Sequence, residues 1–392
     1  MTAAPTSGSG RGRRLLVLGI KLVLVALAFW VVSRKVSWGD ELELRDGNVL
    51  AGRFLDEVEG DDGAVRIRLE DGEERLVPAA SIARGGRHLG VAAAIREISP
   101  GWSGLAMAMI FAMNLLCIYR WQRLLAAQGI TVGYGRAFRL TFMGFFWNNF
   151  MPGMTGGDLA KAVLIARDHP TKRSEAVSTV IVDRLVGMAV LALISAVAIL
   201  FNFERFKEAG IGIFAVLLGC AVAGVCILSR RVRGTLRLNE LMRRLPGSAI
   251  LMKLDRAFLL YREHRGTLVL AALLSLASHV FNIGAVIAFG HDLGIDASAL
   301  TYFATVPIVF ITASIPLFPG GWGVRETAFL VAFAAAGVPA ADEGRILLLS
   351  LLVGVAMMVW SLVGGIFLFG ASPQEHVAFS AEEAERELEP EL

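Results

Sequence analysis

The chain has 392 residues, of which 55% are hydrophobic and 19% are charged, and its mean hydropathy is +0.61. A soluble chain of ordinary composition carries about 25% charged residues, and here the apolar excess lies in long blocks such as 177–201. This pattern excludes an ordinary cytosolic enzyme, a secreted disulfide scaffold and a disordered chain, and it predicts a polytopic membrane protein. The net charge of +3 is small, and the three cysteines lie in apolar runs without metal-type or redox-type spacing.

The N-terminal segment 1–14 is polar, ends in a basic patch, and is predicted to be disordered and cytoplasmic. An apolar stretch follows, which predicts a first transmembrane helix over residues 15–36. Lys21 interrupts this stretch and can reach the interface from the first turns of the helix. A secretory signal peptide is the alternative, but no A-x-A-like cleavage site follows, so an uncleaved span is favoured.

Residues 37–95 break the apolar pattern and alternate between apolar and polar side chains. Asp-Gly pairs at 46–47, 62–63 and 71–72 punctuate the segment, and such pairs between alternating runs are typical of β-hairpins. We predict a small antiparallel β domain of four or five strands, SH3-like in size, that acts as a spacer or an interaction module.

Further apolar blocks follow the β segment, at 100–119, 137–151, 177–201, 210–228, 267–290, 299–318, 324–336 and 345–369. Lys and Arg are concentrated in cytoplasmic loops, so the basic patch before residue 15 places the N-terminus inside and the β domain outside. The arginine-rich loop 229–266 is also predicted to be inside. The acidic tail, residues 371–392, is predicted to be disordered and cytoplasmic.

Each of two apolar segments has both of its flanking loops predicted on the same side of the membrane. Neither segment can therefore be a single crossing. Block 137–151 has basic, cytoplasmic flanks and is followed by a Pro-Gly break; segment 299–336 has external flanks and contains another such break. Irregular backbone at membrane depth persists only where protein buries it or water reaches it. Within a transmembrane domain of residues 96–370, we therefore predict about six full spans plus two re-entrant hairpins from opposite faces, forming an inverted repeat around a midplane site.

Polar residues at the two breaks and on one span are candidate site residues, because ionisable groups inside membranes are costly and usually functional. The candidates are Asn148, Asn149, Gly153, Gly156, Gly157, Asp158, Lys161, Asp183, Arg184, Gly320, Gly321, Gly323, Arg325 and Glu326. Glycine-rich helix N-termini bind phosphate through backbone amides, and arginine can hold a phosphate through two hydrogen bonds. Glu326 is a candidate proton-coupling group. The structural alternative is that the charges only pair with one another, Asp158 with Lys161 and Asp183 with Arg184.

Other polar residues have less defined roles. His279 and Asn282 lie one helical step apart in a span, and His279 is expected to be a hydrogen-bonded bundle residue. Arg120, Trp121 and Arg123, after block 100–119, are predicted to be interfacial.

Enzyme motifs are sparse: the sequence contains no P-loop, no G-x-S-x-G motif and no metal-spaced histidine cluster. The β segment and the tail are too short for a soluble catalytic domain. We therefore predict a protein that is not an enzyme, uses no cofactor and does not bind nucleic acid. The expected partner is a membrane phospholipid or a polyprenyl-phosphate lipid, and the β domain is a candidate docking module for an extracytoplasmic protein.

Four ordered motifs carry a resemblance to a known family: Arg120-Trp121-Gln122-Arg123-Leu124-Leu125, Asn148-Asn149-Phe150-Met151-Pro152-Gly153 with Gly156-Gly157-Asp158, Asp183-Arg184-Leu185-Val186-Gly187, and Pro319-Gly320-Gly321-Trp322-Gly323-Val324-Arg325-Glu326. Over about residues 100–370 the chain resembles the lysylphosphatidylglycerol synthase transmembrane-region family, flippase-like integral membrane proteins that include the membrane half of the multiple peptide resistance factors. The resemblance implies a helical membrane domain that moves or handles anionic or lipid-linked substrates.

The sequence departs from the family pattern at specific places. A soluble aminoacyl-tRNA-dependent transferase follows the membrane part in the two-domain resistance factors, whereas an acidic tail follows here, so lysyl-lipid synthesis is not expected. Position 161 is Lys where the family usually has Arg, which keeps the charge but not bidentate binding. The β segment is an addition to the common core.

The leading hypothesis is a flippase-like multi-pass protein of the cell inner (cytoplasmic) membrane, with both termini cytoplasmic. It would bind the phosphate of an anionic or polyprenyl-linked lipid in a midplane polar cavity, with Lys161, Arg184 and Arg325 as ligands, and carry the lipid across. A membrane-embedded glycosyl or aminoacyl lipid transferase and a non-catalytic scaffold are the alternatives.

Overall fold

The computed structural model describes residues 40–57, 64–69, 71–88, 98–150, 156–201, 261, 264–314, 321–339 and 342–370. The predicted first transmembrane helix, the block 210–228 and the acidic tail lie outside the described residues. The tips of both predicted hairpins, with Gly153 and Gly320, also lie outside them.

An antiparallel sheet occupies residues 40–88, in the strand order β4-β3-β2-β1-β5. Its strands are β1 (Asp40–Leu44), β2 (Val49–Glu57), β3 (Val65–Leu69), β4 (Glu74–Val77) and β5 (Ile82–His88). The β1–β2 and β3–β4 hairpins turn at Gly47 and Gly72, which have φ of 85° and 88°, a conformation that glycine adopts without the steric cost of a side chain.

The sheet encloses a small core that includes Leu42, Ile67 and Val77. At its edge, Arg68 donates a hydrogen bond of 2.6 Å to Glu74 and lowers the pKa of that carboxyl. This pair is exposed, so it contributes little to stability.

The described remainder of the chain is helical. Its helices are α1 (Pro100–Ala127), α2 (Tyr134–Phe150), α3 (Gly156–Asp168), α4 (Arg173–Leu200), α5 (Arg265–Asp292), α6 (Ala299–Ala313), α7 (Val324–Ala335) and α8 (Glu343–Phe369). By length and composition, four of these described helices, namely α1, α4, α5 and α8, can cross a membrane. The prediction of a polytopic membrane protein is confirmed.

The helices fall into two sets with the same order of lengths, α1–α4 and α5–α8. The first set has 28, 17, 13 and 28 residues, and the second has 28, 15, 12 and 27. Helix packings recur in both sets: α2 packs on α3 as α6 packs on α7, and α2 packs on α8 as α6 packs on α4. The first helices of the two sets, α1 in one and α5 in the other, pack against each other in antiparallel orientation. The evidence is that Ser99, just before α1, donates a hydrogen bond to Asp292 at the end of α5.

Each pair of short helices is also antiparallel. Arg136 near the start of α2 is 2.9 Å from Asp168 at the end of α3. Tyr302 near the start of α6 contacts Phe333 near the end of α7, with ring centroids 5.3 Å apart. In each pair, the start of the first helix and the end of the second helix therefore lie close together.

Two hydrophobic cores lie at opposite ends of the bundle. One contains Ile110 of α1 and buried residues of α5–α8. The other contains Trp121 of α1 and buried residues of α2 and α3. Polar side chains collect between these cores.

Candidate functional site

A partly open cavity of about 320 Å³ lies between α1, α4, α5 and α6, with contributions from the start of α7 and the middle of α8. Its lining includes polar side chains from both helix sets: Arg120, Asp183, Arg184, Ser278, His279, Asn282, Ser314 and Arg325. The rest of the lining is mostly apolar and contains Met113, Leu191 and Phe310 among others.

The cavity lies at about half the height of the long helices. Met113 of α1, Leu191 of α4, His279 of α5 and Met357 of α8 all line it, and each is well inside its helix. A helix of this length rises about 42 Å and exceeds the hydrocarbon layer of about 30 Å. The cavity is therefore near the middle of the helices that are long enough to cross a membrane.

Arg120 is held by a buried bidentate ion pair. Its Nε donates to Asp183 Oδ1 over 2.7 Å and its Nη2 donates to Asp183 Oδ2 over 3.0 Å. Its Nη1 donates to Ser275 Oγ over 2.7 Å, so one side chain joins α1, α4 and α5. The structural alternative, a pair of Asp183 with Arg184, is not the arrangement found, because Asp183 is bound to Arg120 and Arg184 to Asp158.

Arg120 and Trp121, which were predicted to be interfacial, do not face the surroundings of the protein. Both side chains are buried in the bundle, and Trp121 Nε1 donates to Thr179 Oγ1 over 3.2 Å. The physical reason is that Asp183, supplied by another helix, compensates the arginine inside the protein. Arg123, one turn along the same helix, is exposed.

Asp158 in the first turn of α3 is shared between two cations. Its Oδ1 lies 2.6 Å from Lys161 Nζ, and its Oδ2 accepts a hydrogen bond from Arg184 Nη2. Lys161 is buried and lies 5.0 Å from the centroid of the Trp121 ring. The Arg184 side chain is 54% exposed, so it is the accessible member of this network.

The N-terminus of α3 is occupied by the protein's own acceptors. Asn148 Oδ1 accepts from the Gly157 amide over 2.9 Å, and Asp158 lies in the same turn. Asn149 instead donates to the carbonyl of Phe145. A phosphate at this helix end would have to displace Asn148, so the guanidinium groups are the better anion ligands.

The second break has its own ion pair. Arg325 Nη2 lies 2.7 Å from Glu326 Oε1, and the guanidinium stacks on Trp322 with 4.6 Å to the ring centroid. Glu326 also accepts from Ser350 Oγ over 3.2 Å and from the Gly323 amide. Gly321 and Gly323 have φ of 71° and 83°, so a side chain at either position would be strained.

One face of α5 carries polar residues that the sequence interpretation used only in part. Ser275, Ser278, His279 and Asn282 fall at positions i, i+3, i+4 and i+7 of the helix. That spacing was a readable signal for a polar helix face, but only His279 and Asn282 were noted. His279 Nε2 lies 3.0 Å from the Gly187 carbonyl, as expected for a hydrogen-bonded bundle residue.

Within the part of the chain that the structure describes, no group of three His, Cys, Asp or Glu side chains could hold a metal ion. The site is therefore described by its arginines, carboxylates and hydrogen-bonding groups.

The sequence profile of the family described as the lysylphosphatidylglycerol synthase TM region matches residues 89–364. The chain belongs to this family. Similar proteins include UPF0104 membrane proteins of three archaea. That of Methanocaldococcus jannaschii is 22% identical over 65% of this chain and 81% of the relative. That of Methanothermobacter thermautotrophicus is 24% identical over 72% and 89%, and that of Pyrococcus horikoshii is 26% identical over 67% and 85%. No solved structure matches the chain.

The lysylphosphatidylglycerol synthase TM region begins where the sheet ends. The match starts at residue 89, directly after β5, and ends inside α8. The cavity and all its ion pairs therefore belong to the family domain, and the sheet precedes it.

Proposed function

We propose that this protein is a flippase-like transporter of the cytoplasmic membrane that carries an anionic or polyprenyl-linked lipid across the bilayer. The observation that carries the proposal is the convergence of Arg120, Arg184 and Arg325, from both helix sets, on one cavity at half the height of the bundle. Guanidinium groups bind phosphate through paired, charge-assisted hydrogen bonds. A phosphate headgroup is the lipid feature that such a wall fits.

The proposed architecture is an inverted repeat with two re-entrant hairpins. Support comes from the matching lengths and packings of the two helix sets and from the antiparallel α1 and α5. The carboxylates Asp158 and Glu326 are each the third residue of a short helix, and each contacts the long helix that follows. The short helices rise about 18–26 Å, less than the hydrocarbon thickness of about 30 Å.

The proposed topology adds the spans 15–36 and 210–228, which gives about six full crossings. Both termini are then cytoplasmic and the sheet is external. This orientation places the basic residues between α1 and α4, and those of the loop 229–266, on the cytoplasmic side. An external position leaves the sheet available to an extracytoplasmic protein partner.

The charges of the network are nearly balanced. Its cations are Arg120, Lys161, Arg184 and Arg325, and its anions are Asp158, Asp183 and Glu326. The formal charge is therefore +1, and one phosphodiester makes the loaded site neutral. A neutral loaded site lowers the cost of moving a charge through the bilayer.

Arg184 is the proposed primary ligand, because binding there requires only an exchange of partners. An incoming phosphate takes the place of Asp158 on Arg184, and Asp158 keeps Lys161 at 2.6 Å. No buried carboxylate is left unpaired by this exchange, which avoids the largest penalty for breaking an ion pair. Apolar residues of the same wall, such as Met188 and Leu191, fit the parts of the lipid next to the phosphate.

We propose transport without covalent chemistry. The carboxylates Asp158, Asp183 and Glu326 are each bound by an arginine or a lysine. Because each of these three carboxylates is held in an ion pair, none of them is offered to a bound lipid as a free nucleophile or general base.

The test is translocation of fluorescent phosphatidylglycerol by the purified full chain in proteoliposomes. We expect Arg184→Ala to lower the rate about tenfold or more, because a charge-assisted hydrogen bond contributes about 1.5–3 kcal/mol. Asp158→Asn removes the carboxylate that competes with the phosphate for Arg184. It should therefore raise the affinity for the lipid and lower the half-saturating lipid concentration several-fold. Arg173→Ala, an exposed arginine at the start of the same helix, is the matched control and should leave the rate unchanged.

An unchanged rate in Arg184→Ala would overturn the proposed role of this arginine. A new covalent lipid product, detected by mass spectrometry after expression, would instead favour a membrane-embedded transferase.

A further inference from the structure

The arginine wall of the cavity is formed by Arg120, Arg184 and Arg325, and these side chains use their donors in different ways. Arg120 donates through all three guanidinium nitrogens to side chains of α4 and α5. Arg184 donates to Asp158, and its side chain is 54% exposed. Arg325 donates through Nε and Nη2 to a single carboxylate, and its Nη1 makes no hydrogen bond within the described residues. Because a guanidinium has five N–H donors, the two on Nη1 remain for a ligand.

A ligand in the cavity can reach these two donors. Arg325 lines the cavity, although its side chain as a whole is only 4% exposed. Nη1 keeps accessible surface, because it is not among the buried and unpartnered side-chain atoms of the described residues. Donors inside proteins are nearly always paired, and an anionic oxygen is the acceptor that binds a guanidinium most strongly.

Three residues hold the Arg325 guanidinium in place. Glu326 accepts from its Nε over 3.1 Å and from its Nη2 over 2.7 Å. Trp322 stacks on it, with 4.6 Å to the ring centroid. Gly354 of α8 provides the space in which the group lies, because a Cβ at this position would be 2.1 Å from Nη2. Within the part of the chain that the structure describes, Arg325 lines the cavity and its three neighbours do not.

The Glu326 carboxylate acts as an acceptor on both of its oxygens. Oε1 accepts from Arg325 and also from Ser350 over 3.2 Å, and Oε2 accepts from the Gly323 amide. Contacts with α8 and with the start of α7 therefore fix the carboxylate, and the carboxylate fixes the arginine. Since Glu326 contacts the cavity only through Arg325, this geometry favours a positioning role over the proton-coupling role suggested by the sequence.

We propose that Arg325 is the fixed anion ligand of the cavity, and that its three neighbours are positioning residues that direct the Nη1 donors toward the bound anion. Arg184 is the exchanging ligand, because it must give up Asp158, whereas Arg325 binds the anion without losing a partner. A donor that is already held in place costs less to order on binding. The inference rests on the proposed function in taking the cavity as the site of a lipid phosphate.

The test measures binding of short-chain phosphatidylmethanol, which offers a phosphodiester without a further polar headgroup, to the detergent-purified full chain by calorimetry. Gly354→Ala changes no charge but forces the guanidinium to move. We expect binding to weaken about tenfold, as for the loss of one hydrogen bond to a charged group. Gly365→Ala on the same helix is the matched control, because its Cβ would meet Phe146 at 2.8 Å and Gly365 does not line the cavity. The control should bind the probe like the unmodified protein.

Charge-conserving changes separate the fixed arginine from the exchanging one. Arg325→Lys cannot hold Glu326 through two nitrogens and also donate to the anion, so it should weaken binding about tenfold, nearly as much as Arg325→Ala. Arg184→Lys should weaken binding by no more than about threefold, because this side chain binds its carboxylate through one nitrogen. Trp322→Leu should weaken binding about twofold to fivefold, the effect of one cation–π contact, and Trp322→Phe should retain most of the affinity.

A pH profile of binding distinguishes positioning from proton coupling at Glu326. In Glu326→Gln the amide is a weaker acceptor for Arg325, so binding should weaken several-fold. The factor should be the same at every pH, because the carboxylate does not exchange a proton when the anion binds. A profile whose shape changes in Glu326→Gln would overturn the positioning role and assign proton coupling to this residue.

Unchanged binding in Gly354→Ala, or an equal loss in Gly365→Ala, would overturn the positioning by α8. Full affinity in Arg325→Lys would overturn the fixed ligand. If the variants weaken binding as expected but the unmodified chain does not translocate lipid in proteoliposomes, the transport proposal fails and the anion ligand stands. Normal translocation and binding in the Arg325 variants would sink the inference and leave the transport proposal intact.

Discussion

Arg120 and Asp183 are 63 residues apart in the chain and form a buried pair with two hydrogen bonds. Removing one partner of such a pair leaves an uncompensated charge in a low-dielectric interior, and this costs more than the pair itself contributes. The third hydrogen bond of Arg120, to Ser275, joins α5 to the same group. The pair therefore fixes how three crossing helices meet beside the cavity.

We predict that Arg120→Ala destabilises the protein by about 3–5 kcal/mol, because Asp183 loses its bidentate partner. Thermal unfolding in detergent, followed by intrinsic fluorescence, measures the change. Replacing both partners, as in Arg120→Met with Asp183→Leu, should restore part of the lost stability, since apolar pairs of similar volume are tolerated. Arg123→Ala, an exposed change one turn away, is the control and should stay within about 0.5 kcal/mol. A double variant less stable than both single variants would contradict this account.

Local pairs could be predicted from the sequence, and long-range pairs could not. The predicted contact between Asp158 and Lys161 is present, because residues three apart share a helix face. The alternative pair of Asp183 with Arg184 does not form, because adjacent helical residues point about 100° apart. Each therefore takes its partner from a different helix, Asp183 from α1 and Arg184 from α3.

Close backbone contact joins α2 and α3 at Gly144 and Gly157. A Cβ on either glycine would overlap the backbone of the other residue. Overpacking of this kind separates helices or forces backbone shifts. The predicted site residue Gly157, which precedes Asp158 in the chain, therefore has a role in packing α3 against α2.

We predict that Gly144→Ala and Gly157→Ala each destabilise the protein by about 1–3 kcal/mol. Gly135→Ala is the matched control, because a Cβ there has open space and alanine has the higher helix propensity. The control should be neutral or stabilise the protein by up to about 1 kcal/mol. Thermal unfolding of the three variants in one detergent makes the comparison, and a Gly157→Ala protein as stable as Gly135→Ala would rule out the tight contact.

Hydropathy placed the helices well and placed one boundary badly. The block 137–151 corresponds to α2 at 134–150, and the block 267–290 corresponds to α5 at 265–292. The block 100–119 was ended at Arg120, whereas α1 continues to Ala127. Charged residues look like a membrane edge in a sequence window, and only the tertiary partner shows that Arg120 is inside the bundle.

The distribution of basic residues along the chain led to the prediction of two broken segments. A segment whose two flanking loops lie on the same side of the membrane cannot be a single crossing. The packing of each short pair on the other set's last helix could not be predicted, since nothing in one sequence relates α2 to α8 or α6 to α4. Those packings are what bring Arg184 and Arg325 to one cavity. The polar face of α5 could be recognised in the sequence, but its position beside the cavity could be seen only in the assembled bundle.

Cys117 on α1 lines the cavity and provides a built-in reporter of its charge and water access. In a variant with Cys220→Ala and Cys226→Ala, we predict that an anionic methanethiosulfonate labels Cys117 several-fold faster than a cationic one of similar size. The arginine wall raises the local concentration of the anionic reagent beside the thiol. Mass spectrometry of the labelled chain in proteoliposomes measures both rates.

The same measurement in an Arg184→Ala background tests where the charge preference comes from. Removing one of the arginines that line the cavity should reduce the ratio of anionic to cationic labelling, whereas Arg173→Ala should leave it unchanged. Addition of short-chain phosphatidylglycerol should slow labelling in the protein that retains Arg184, because the lipid phosphate and the reagent compete for the same cationic wall. No labelling by either reagent would mean that water does not reach Cys117, and a wet path to the arginines is the condition on which lipid headgroup passage depends.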